Sequence, residues 1–203
     1  MSIIVLTGGP CGGKSSCLSQ IKEHFMSKGY MVFCIPEMPT LLMKGGCQYP
    51  GTENKDKLIE FEVALLQAQL QMEDSFKQIA KSTGHKYIII ADRGIMDIAA
   101  YMNPEDWATT QESAGITELD IMQRYNSVIH LVTAADGAPD HYKFGNVTDD
   151  NGVAVYRCEP PEQAVELDSK IKAAWSKHEK HIIIGNDVAS FQEKIDKVIR
   201  SIE

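Results

Sequence analysis

Short apolar runs alternate with helical patterns along the 203 residues of the chain. Apolar residues without a polar break predict strands, and apolar residues that recur every three or four positions predict helices. The predicted strands are 2–7, 31–35, 86–91, 127–132 and 181–184. Because strands that alternate with helices are typical of βα units, the pattern predicts a three-layer α/β fold with a five-stranded parallel sheet.

Two predicted helices carry an apolar stripe that we expect to face the core. The stripe of the longer helix consists of Leu58, Phe61, Leu65, Ala68, Met72, Phe76 and Ile79. The stripe of the last helix consists of Val188, Phe191, Ile195, Val198 and Ile202. The longer helix spans barely three heptads, which favours a core helix over a coiled coil.

Two segments between these elements are predicted as loops. The segment 36–57 contains the breakers Gly45-Gly46 and Pro50-Gly51. The segment 133–160 is interpreted as a mobile, lid-like excursion, and its Asn151-Gly152 is typical of a hairpin turn. We expect a single domain over 1–203 that includes this excursion.

The composition excludes several classes of protein. The chain has 20 Lys and Arg against 28 Asp and Glu, a net charge of −8, so it lacks a basic footprint for nucleic acid. No apolar run approaches the roughly 20 residues that span a bilayer, so no transmembrane segment is expected. Five cysteines without a CxxC pair, and an N-terminus without the pattern of a signal peptide, favour a cytoplasmic location.

The segment after the first strand matches the phosphate-loop pattern G-x-x-x-x-G-K-[ST] at every required position. Glycines let backbone N–H groups wrap a phosphate, and the following helix directs the positive end of its dipole at the same anion. The predicted nucleotide-binding residues are Gly8, Gly9, Pro10, Cys11, Gly12, Gly13, Lys14, Ser15 and Ser16. Lys14 supplies a positive charge for the outer phosphates, and Ser15 offers a hydroxyl to Mg²⁺. A coincidental glycine-rich turn is the alternative, which the position between an apolar strand and a helix disfavours.

A second candidate for the metal follows the strand 86–91. Asp92 ends this apolar run in the manner of a Walker B segment, and the carboxyl ends of parallel strands form the edge where such sheets bind ligands. There Asp92 can hold Mg²⁺ through water or accept a proton. An apolar strand that ends in Asp is often structural, but the pairing with a full phosphate loop favours a functional role.

Three further residues are candidates for phosphoryl-transfer chemistry. Glu37 follows the second strand and can accept a proton from an attacking hydroxyl, although it can equally be a solvated loop acid. Arg93 can bind a phosphate or a substrate carboxylate, or form a surface ion pair. Arg157, the sole arginine within 133–160, is the candidate for an arginine that stabilises the transferred group, with a solvated loop residue as the alternative.

The sequence leaves the base of the nucleotide open. A switch GTPase reads guanine with N-K-x-D after a late strand, whereas Asn54-Lys55-Asp56-Lys57 lies in an early loop and has Lys where Asp is required. This mismatch disfavours a Ras-like switch. It does not decide between ATP and GTP, because other phosphate-loop proteins recognise the base differently.

Taken together, these motifs resemble one family of phosphate-loop proteins. It consists of the AAA-type, kinase-like domains shared by the nicotinamide-riboside kinase part of bacterial NAD regulators and by animal TRPL translocation-defect proteins. The segments that carry the resemblance are 6–11, 36–37, 92–97 and 130–138, with Trp175 and His178 beyond them. The resemblance implies a nucleotide-kinase-like sheet with the phosphate-loop strand between the third and fourth strands. It also implies binding of ATP or GTP with Mg²⁺ through Gly8 to Ser16, and it makes Glu37 and Asp92 candidate acids for a substrate hydroxyl.

Three functions fit these motifs. The first is a small-molecule kinase that transfers phosphoryl to a nucleoside-like acceptor. The second is a regulatory or trafficking module that binds a nucleotide, acts on a protein partner and hydrolyses slowly or not at all. The third is a structural subunit of a larger assembly that retains a nucleotide. The single arginine in the lid-like segment, where many kinases of this fold have several, motivates the second.

Overall fold

The computed structural model of the protein describes residues 3–148, 154–157 and 159–203. Its strands are β1 (Ile3–Thr7), β2 (Met31–Ile35), β3 (Tyr87–Asp92), β4 (Ser127–Leu131), β5 (Gly145–Thr148), β6 (Ala154–Arg157) and β7 (His181–Ile184). Its α-helices are α1 (Lys14–Ser27), α2 (Met38–Lys44), α3 (Lys55–Ser82), α4 (Met96–Ala99), α5 (Pro104–Ala114), α6 (Glu118–Gln123), α7 (Pro161–Ala174) and α8 (Phe191–Ile202). A 3₁₀ turn, Pro139–His141, precedes β5.

Five strands form a parallel sheet in the order β2-β3-β1-β4-β7. β1 therefore lies between β3 and β4, and the predicted five-stranded parallel sheet is confirmed. The register places Leu6 beside Asp92 and Thr7 beside His130. This register brings the ends of three strands together at one edge of the sheet, directly below the segment 8–13.

Alternation along β1 supplies both sides of the core, because successive strand residues point to opposite faces. Ile3 and Val5 belong to the apolar cluster formed with α3 to α7, whereas Ile4 and Leu6 belong to the cluster formed with α1 and α8. All four side chains are buried. The sheet is thus covered by helices on both faces, which gives the predicted three layers.

The prediction for the buried face of α3 is partly wrong. Ile79 is 55% exposed, and the buried face includes the polar residues Glu62, Gln69 and Glu73. Glu73 is fully buried because the Tyr125 hydroxyl donates to it at 2.6 Å and Arg124 forms an ion pair with it at 2.7 Å. A pattern built from apolar residues alone misplaces a helix face when polar side chains are buried with partners.

One of the two predicted loops contains more regular structure than the pattern indicated. The segment 36–57 contains the short helix α2, whose first turn accommodates Pro39 because proline needs no N–H partner there. Within 133–160, β5 and β6 form an antiparallel pair in which Gly145 lies opposite Arg157. The proposed turn at Asn151-Gly152 lies outside the described residues.

Phe191, the first residue of α8, was predicted to face the core but is 47% exposed. Its ring instead lies against Gly13, at 2.6 Å from where a Cβ of that glycine would be.

None of the helices in the described part of the chain combines the length and apolar character needed to cross a bilayer.

Candidate functional site

The phosphate loop connects β1 to α1 at the carboxyl edge of the sheet. Gly8 has a φ of +128°, and a Cβ there would lie 2.0 Å from the carbonyl oxygen of Leu131, so only glycine fits against β4. Gly13 precedes α1 with a φ of +92° and, within the described chain, makes no side-chain cap. The amino end of α1, with the positive end of the helix dipole, therefore faces the loop, which is an arrangement that binds anions.

The remaining loop residues are held by neighbouring segments. The Thr133 hydroxyl donates to the carbonyl of Pro10 at 2.5 Å, and the Cys11 thiol lies 3.6 Å from the carbonyl of Lys143. The N–H of Gly12 donates across the loop to Gly9 at 3.3 Å. These contacts close the loop on itself and attach it to the segment after β4.

Lys14 folds back over the loop. Its Nζ donates to the carbonyls of Gly8 at 3.0 Å and Gly9 at 3.1 Å. Burial and, after it, the charge of Arg93 lower the pKa of Lys14 to about 8, although nearby carboxylates including Asp92 oppose the shift. The ammonium group of the lysine is therefore held against the backbone of the loop.

The candidate metal ligands fit a hard cation. Oδ1 of Asp92 is buried and has no hydrogen-bond partner among the described residues, and burial raises the pKa of this carboxyl group. Ser15 is exposed in the first turn of α1. Mg²⁺ is usually held by one or two carboxylates together with phosphates and water, so an orphaned carboxylate oxygen beside a phosphate loop suits it.

Glu37 and Arg93 form an ion pair across the edge of the sheet. Glu37 follows β2, where its carboxylate accepts from Nε of Arg93 and from the hydroxyl of Thr40 at 2.5 Å. Burial acts to raise the pKa of Glu37, but Arg93 and Thr40 outweigh it and hold the pKa below its ordinary value. Nη1 of Arg93 is buried and finds no partner within the described chain, so the pair keeps an unused donor.

Arg157 lies at the end of β6, opposite Gly145 in the small antiparallel sheet. The role predicted for it stays a prediction.

Two buried carboxylates support the site, and no role was predicted for either of them. Asp168 of α7 accepts from the N–H of Gly9 at 2.7 Å and of Thr133 at 3.2 Å, and it lies 3.1 Å from Nε2 of His130. Asp97 of α4 accepts from the hydroxyl of Thr7, the last residue of β1. It also accepts, at 2.6 Å, from the N–H of Gly94, which lies between β3 and α4. Both side chains anchor backbone next to the phosphate loop.

A family model described as an AAA domain matches residues 3–194 of this sequence. The chain belongs to this family. A comparison with curated proteins found no match. Among solved structures, this AAA domain is similar to a deoxyadenosine kinase from M. mycoides with bound dATP. The two share 14% sequence identity over 100% of this chain and 99% of the other, with a TM-score of 0.55. At that identity the likeness shows the fold, which is that of a P-loop NTPase.

The structure brings Lys14, Glu37, Asp92 and Arg93 of the AAA domain to one edge of the sheet. Glu37, Asp92 and Arg93 lie there because each is at or just beyond the end of a strand, and Lys14 lies there because it begins α1. Asp168 was missed because it lies far along the chain in a helix. One signal could have revealed it: α7 buries it between Ala164 and Ile171, and a carboxylate at helical spacing on an apolar face needs partners. Asp97 gave no such signal beyond its place in the segment 92–97.

Proposed function

We propose that this AAA domain binds ATP or GTP with Mg²⁺ and transfers the terminal phosphoryl group to a hydroxyl of a nucleoside-like small molecule. One observation carries the proposal. The ionised Glu37 and the partnerless Oδ1 of Asp92 lie within electrostatic reach of Lys14, the cation of the phosphate loop. A proton acceptor, a metal ligand and a phosphate-binding lysine thus share one edge of the sheet.

The triphosphate is expected to lie in the cradle of Gly8 to Ser16. Lys14 would exchange its two carbonyl partners for phosphate oxygens, since an ammonium group binds anions more strongly than neutral carbonyls. Ser15 and Asp92 would hold Mg²⁺, which neutralises charge on the phosphates when bound. The chain contributes positioning and electrostatic stabilisation, which dominate phosphoryl transfer.

Glu37 is the better candidate for the proton acceptor. Arg93 and Thr40 keep it ionised at neutral pH, whereas burial favours the protonated form of Asp92. The acceptor oxygen would form a bond to the terminal phosphorus as the bridging P–O bond breaks. The hydroxyl proton would pass to a carboxylate oxygen of Glu37, and the nucleoside diphosphate (ADP or GDP) would leave with the bridging oxygen.

Two observations support a nucleoside-like acceptor. One solved structure with the same fold is a deoxyadenosine kinase. The segments 6–11, 36–37, 92–97 and 130–138 resemble those of the riboside-kinase part of NAD regulators. A second candidate function is slow hydrolysis without an acceptor, favoured by Arg157 as the sole arginine of the segment 133–160.

Transfer from labelled ATP or GTP to a panel of nucleosides tests the proposal. The wild-type protein should give a labelled product that depends on the acceptor. Glu37→Gln should lower the rate of transfer about 10²-fold or more while nucleotide binding persists. Glu53→Gln, a neutralised and exposed acid of the same segment, is the matched control and should keep the wild-type rate.

Two outcomes would contradict the proposal. Release of labelled phosphate without any labelled acceptor would support the second candidate function instead. Equal rates for Glu37→Gln and wild type would exclude Glu37 as the proton acceptor.

A further inference from the structure

The turn between β3 and α4 has a backbone that side chains disfavour. Arg93 has a φ of +69°, in the left-handed region that residues with a Cβ rarely adopt. Such a conformation persists only where surrounding contacts determine it, and such contacts are often functional. The turn matters here because the guanidinium group of Arg93 forms an ion pair with Glu37.

Asp97 holds this turn from below. One oxygen of its carboxylate accepts from the N–H of Gly94 at 2.6 Å, directly after the left-handed residue. The other oxygen accepts from the hydroxyl of Thr7. Asp97 is only 3% exposed, so both bonds are made away from water.

The neighbouring contacts leave the turn little freedom. The N–H of Arg93 donates to the carbonyl of Leu6 at 3.1 Å. A Cβ on Gly94 would lie 2.7 Å from the ring of Trp175 and 2.9 Å from Val5, so the backbone approaches both side chains as closely as glycine allows. The turn is therefore pressed against β1, the strand that leads into the phosphate loop.

We infer that Asp97 is a positioning residue that connects the two halves of the site through Thr7 and Gly94. Thr7 directly precedes the phosphate loop, and Gly94 directly follows Arg93, the partner of Glu37. The carboxylate thus sets the separation between the bound triphosphate and the proton acceptor. This inference rests on the proposed phosphoryl transfer, in which Asp97 touches neither the phosphates nor the acceptor.

The charge of Asp97 also acts on Lys14 and Arg93, so its removal alone would not separate position from electrostatics. Thr7→Val makes this separation, because it deletes one hydrogen bond of Asp97 and changes neither the charge nor the shape of the strand. Thr7→Ser restores the hydroxyl. The matched control is Thr110→Val, since Thr110 is also fully buried but lies in α5.

The measurements are the kcat and KM for the acceptor, the Kd for the nucleotide and the melting temperature. We expect Thr7→Val to lower kcat about tenfold or more, because small misplacements of reacting groups are costly, while the nucleotide Kd changes less than about threefold. Thr7→Ser should recover kcat to within about twofold of wild type. Thr110→Val should lower the melting temperature and leave kcat unchanged.

Asp97→Asn provides a second variant if Thr7→Val does not fold, and it should also lower kcat more than it weakens nucleotide binding. A Thr7→Val protein with the kcat of wild type would overturn this inference but not the proposed function. An equal loss of kcat in Thr110→Val would overturn it as well, since the effect would then be one of stability. A wild-type protein that transfers no phosphoryl group would overturn the proposed function and this inference together.

Discussion

Nucleotide binding should depend on pH through Lys14. In the free protein, burial and the positive charge of Arg93 together lower the pKa of this lysine from 10.5 to about 8, against the opposing effect of nearby carboxylates. A bound triphosphate brings several negative charges to Nζ, so the pKa in the complex should lie well above that of the free protein. At a pH above the pKa of Lys14 in the free protein, the uncharged lysine must take up a proton when the nucleotide binds.

The size of the effect follows from the fraction of protein that carries the charged lysine. With a pKa of about 8, this fraction is about three quarters at pH 7.5 and about one tenth at pH 9. The association constant for ATP or GTP should therefore fall about eightfold across this range. Titration calorimetry with Mg²⁺ held constant measures the constant, and buffers of different ionisation enthalpy report the proton taken up.

Lys14→Met is the control for this experiment. It should bind the nucleotide weakly, with an affinity that stays level across the range, because no lysine titrates at the loop. Stability provides an independent check. The unfolded chain binds this proton more tightly than the folded protein, so the Lys14 contribution should make the unliganded protein more stable as the pH rises from about 8 to 10.5. A wild-type affinity that does not change with pH would refute the assignment of Lys14.

Three changes test the packing around the site. Asp168→Ala should lower the free energy of unfolding by about 2–4 kcal/mol, measured by urea denaturation, because it leaves the buried N–H of Gly9 without its partner; full stability would contradict this. Gly94→Ala should destabilise by about 1–3 kcal/mol in the same assay, because its Cβ would overlap the ring of Trp175. Leu66→Ala, on the buried face of α3, should cost about 2–5 kcal/mol without changing nucleotide affinity, and a weakened affinity would show that α3 reaches the site.

The sequence was sufficient to predict the sheet. Uninterrupted apolar runs such as 3–6 are buried on both faces, and an all-parallel sheet requires such runs. The pattern failed at α3, because Glu73 belongs to the buried face only through Tyr125 and Arg124, which lie about fifty residues later. Long-range polar pairing leaves no periodic signal, so these residues could not be placed from the sequence.

The candidate site likewise contains some features that could be predicted from the sequence and others that could not. The phosphate loop and Asp92 are local patterns, each fixed by a strand and what directly follows it, and they could be predicted. The pairing of Glu37 with Arg93 could not, since it joins positions 56 residues apart and depends on the left-handed turn at Arg93. Asp168 contacts Gly9 across 159 residues, so only the fold brings them together.

An acidic site can bind a polyphosphate only if its own carboxylates are neutralised. Glu37 is paired with Arg93, and Asp97 and Asp168 accept hydrogen bonds from the backbone. Asp92 differs, because its Oδ1 has no partner within the described chain. Without a divalent cation, this carboxylate should repel the triphosphate. Asp92→Asn should therefore bind ATP or GTP more tightly than wild type in EDTA and more weakly in Mg²⁺, by a few-fold to tenfold each way.

Equilibrium dialysis with each nucleotide, in EDTA and in Mg²⁺, measures both affinities of the two proteins. The crossing of the two effects is the informative result, since a variant that is merely misfolded would bind more weakly under both conditions. If Asp92→Asn lost affinity equally in EDTA and in Mg²⁺, the orphaned oxygen of Asp92 would not be the cation ligand. The site would then have to neutralise the phosphates through Lys14 and the helix dipole alone.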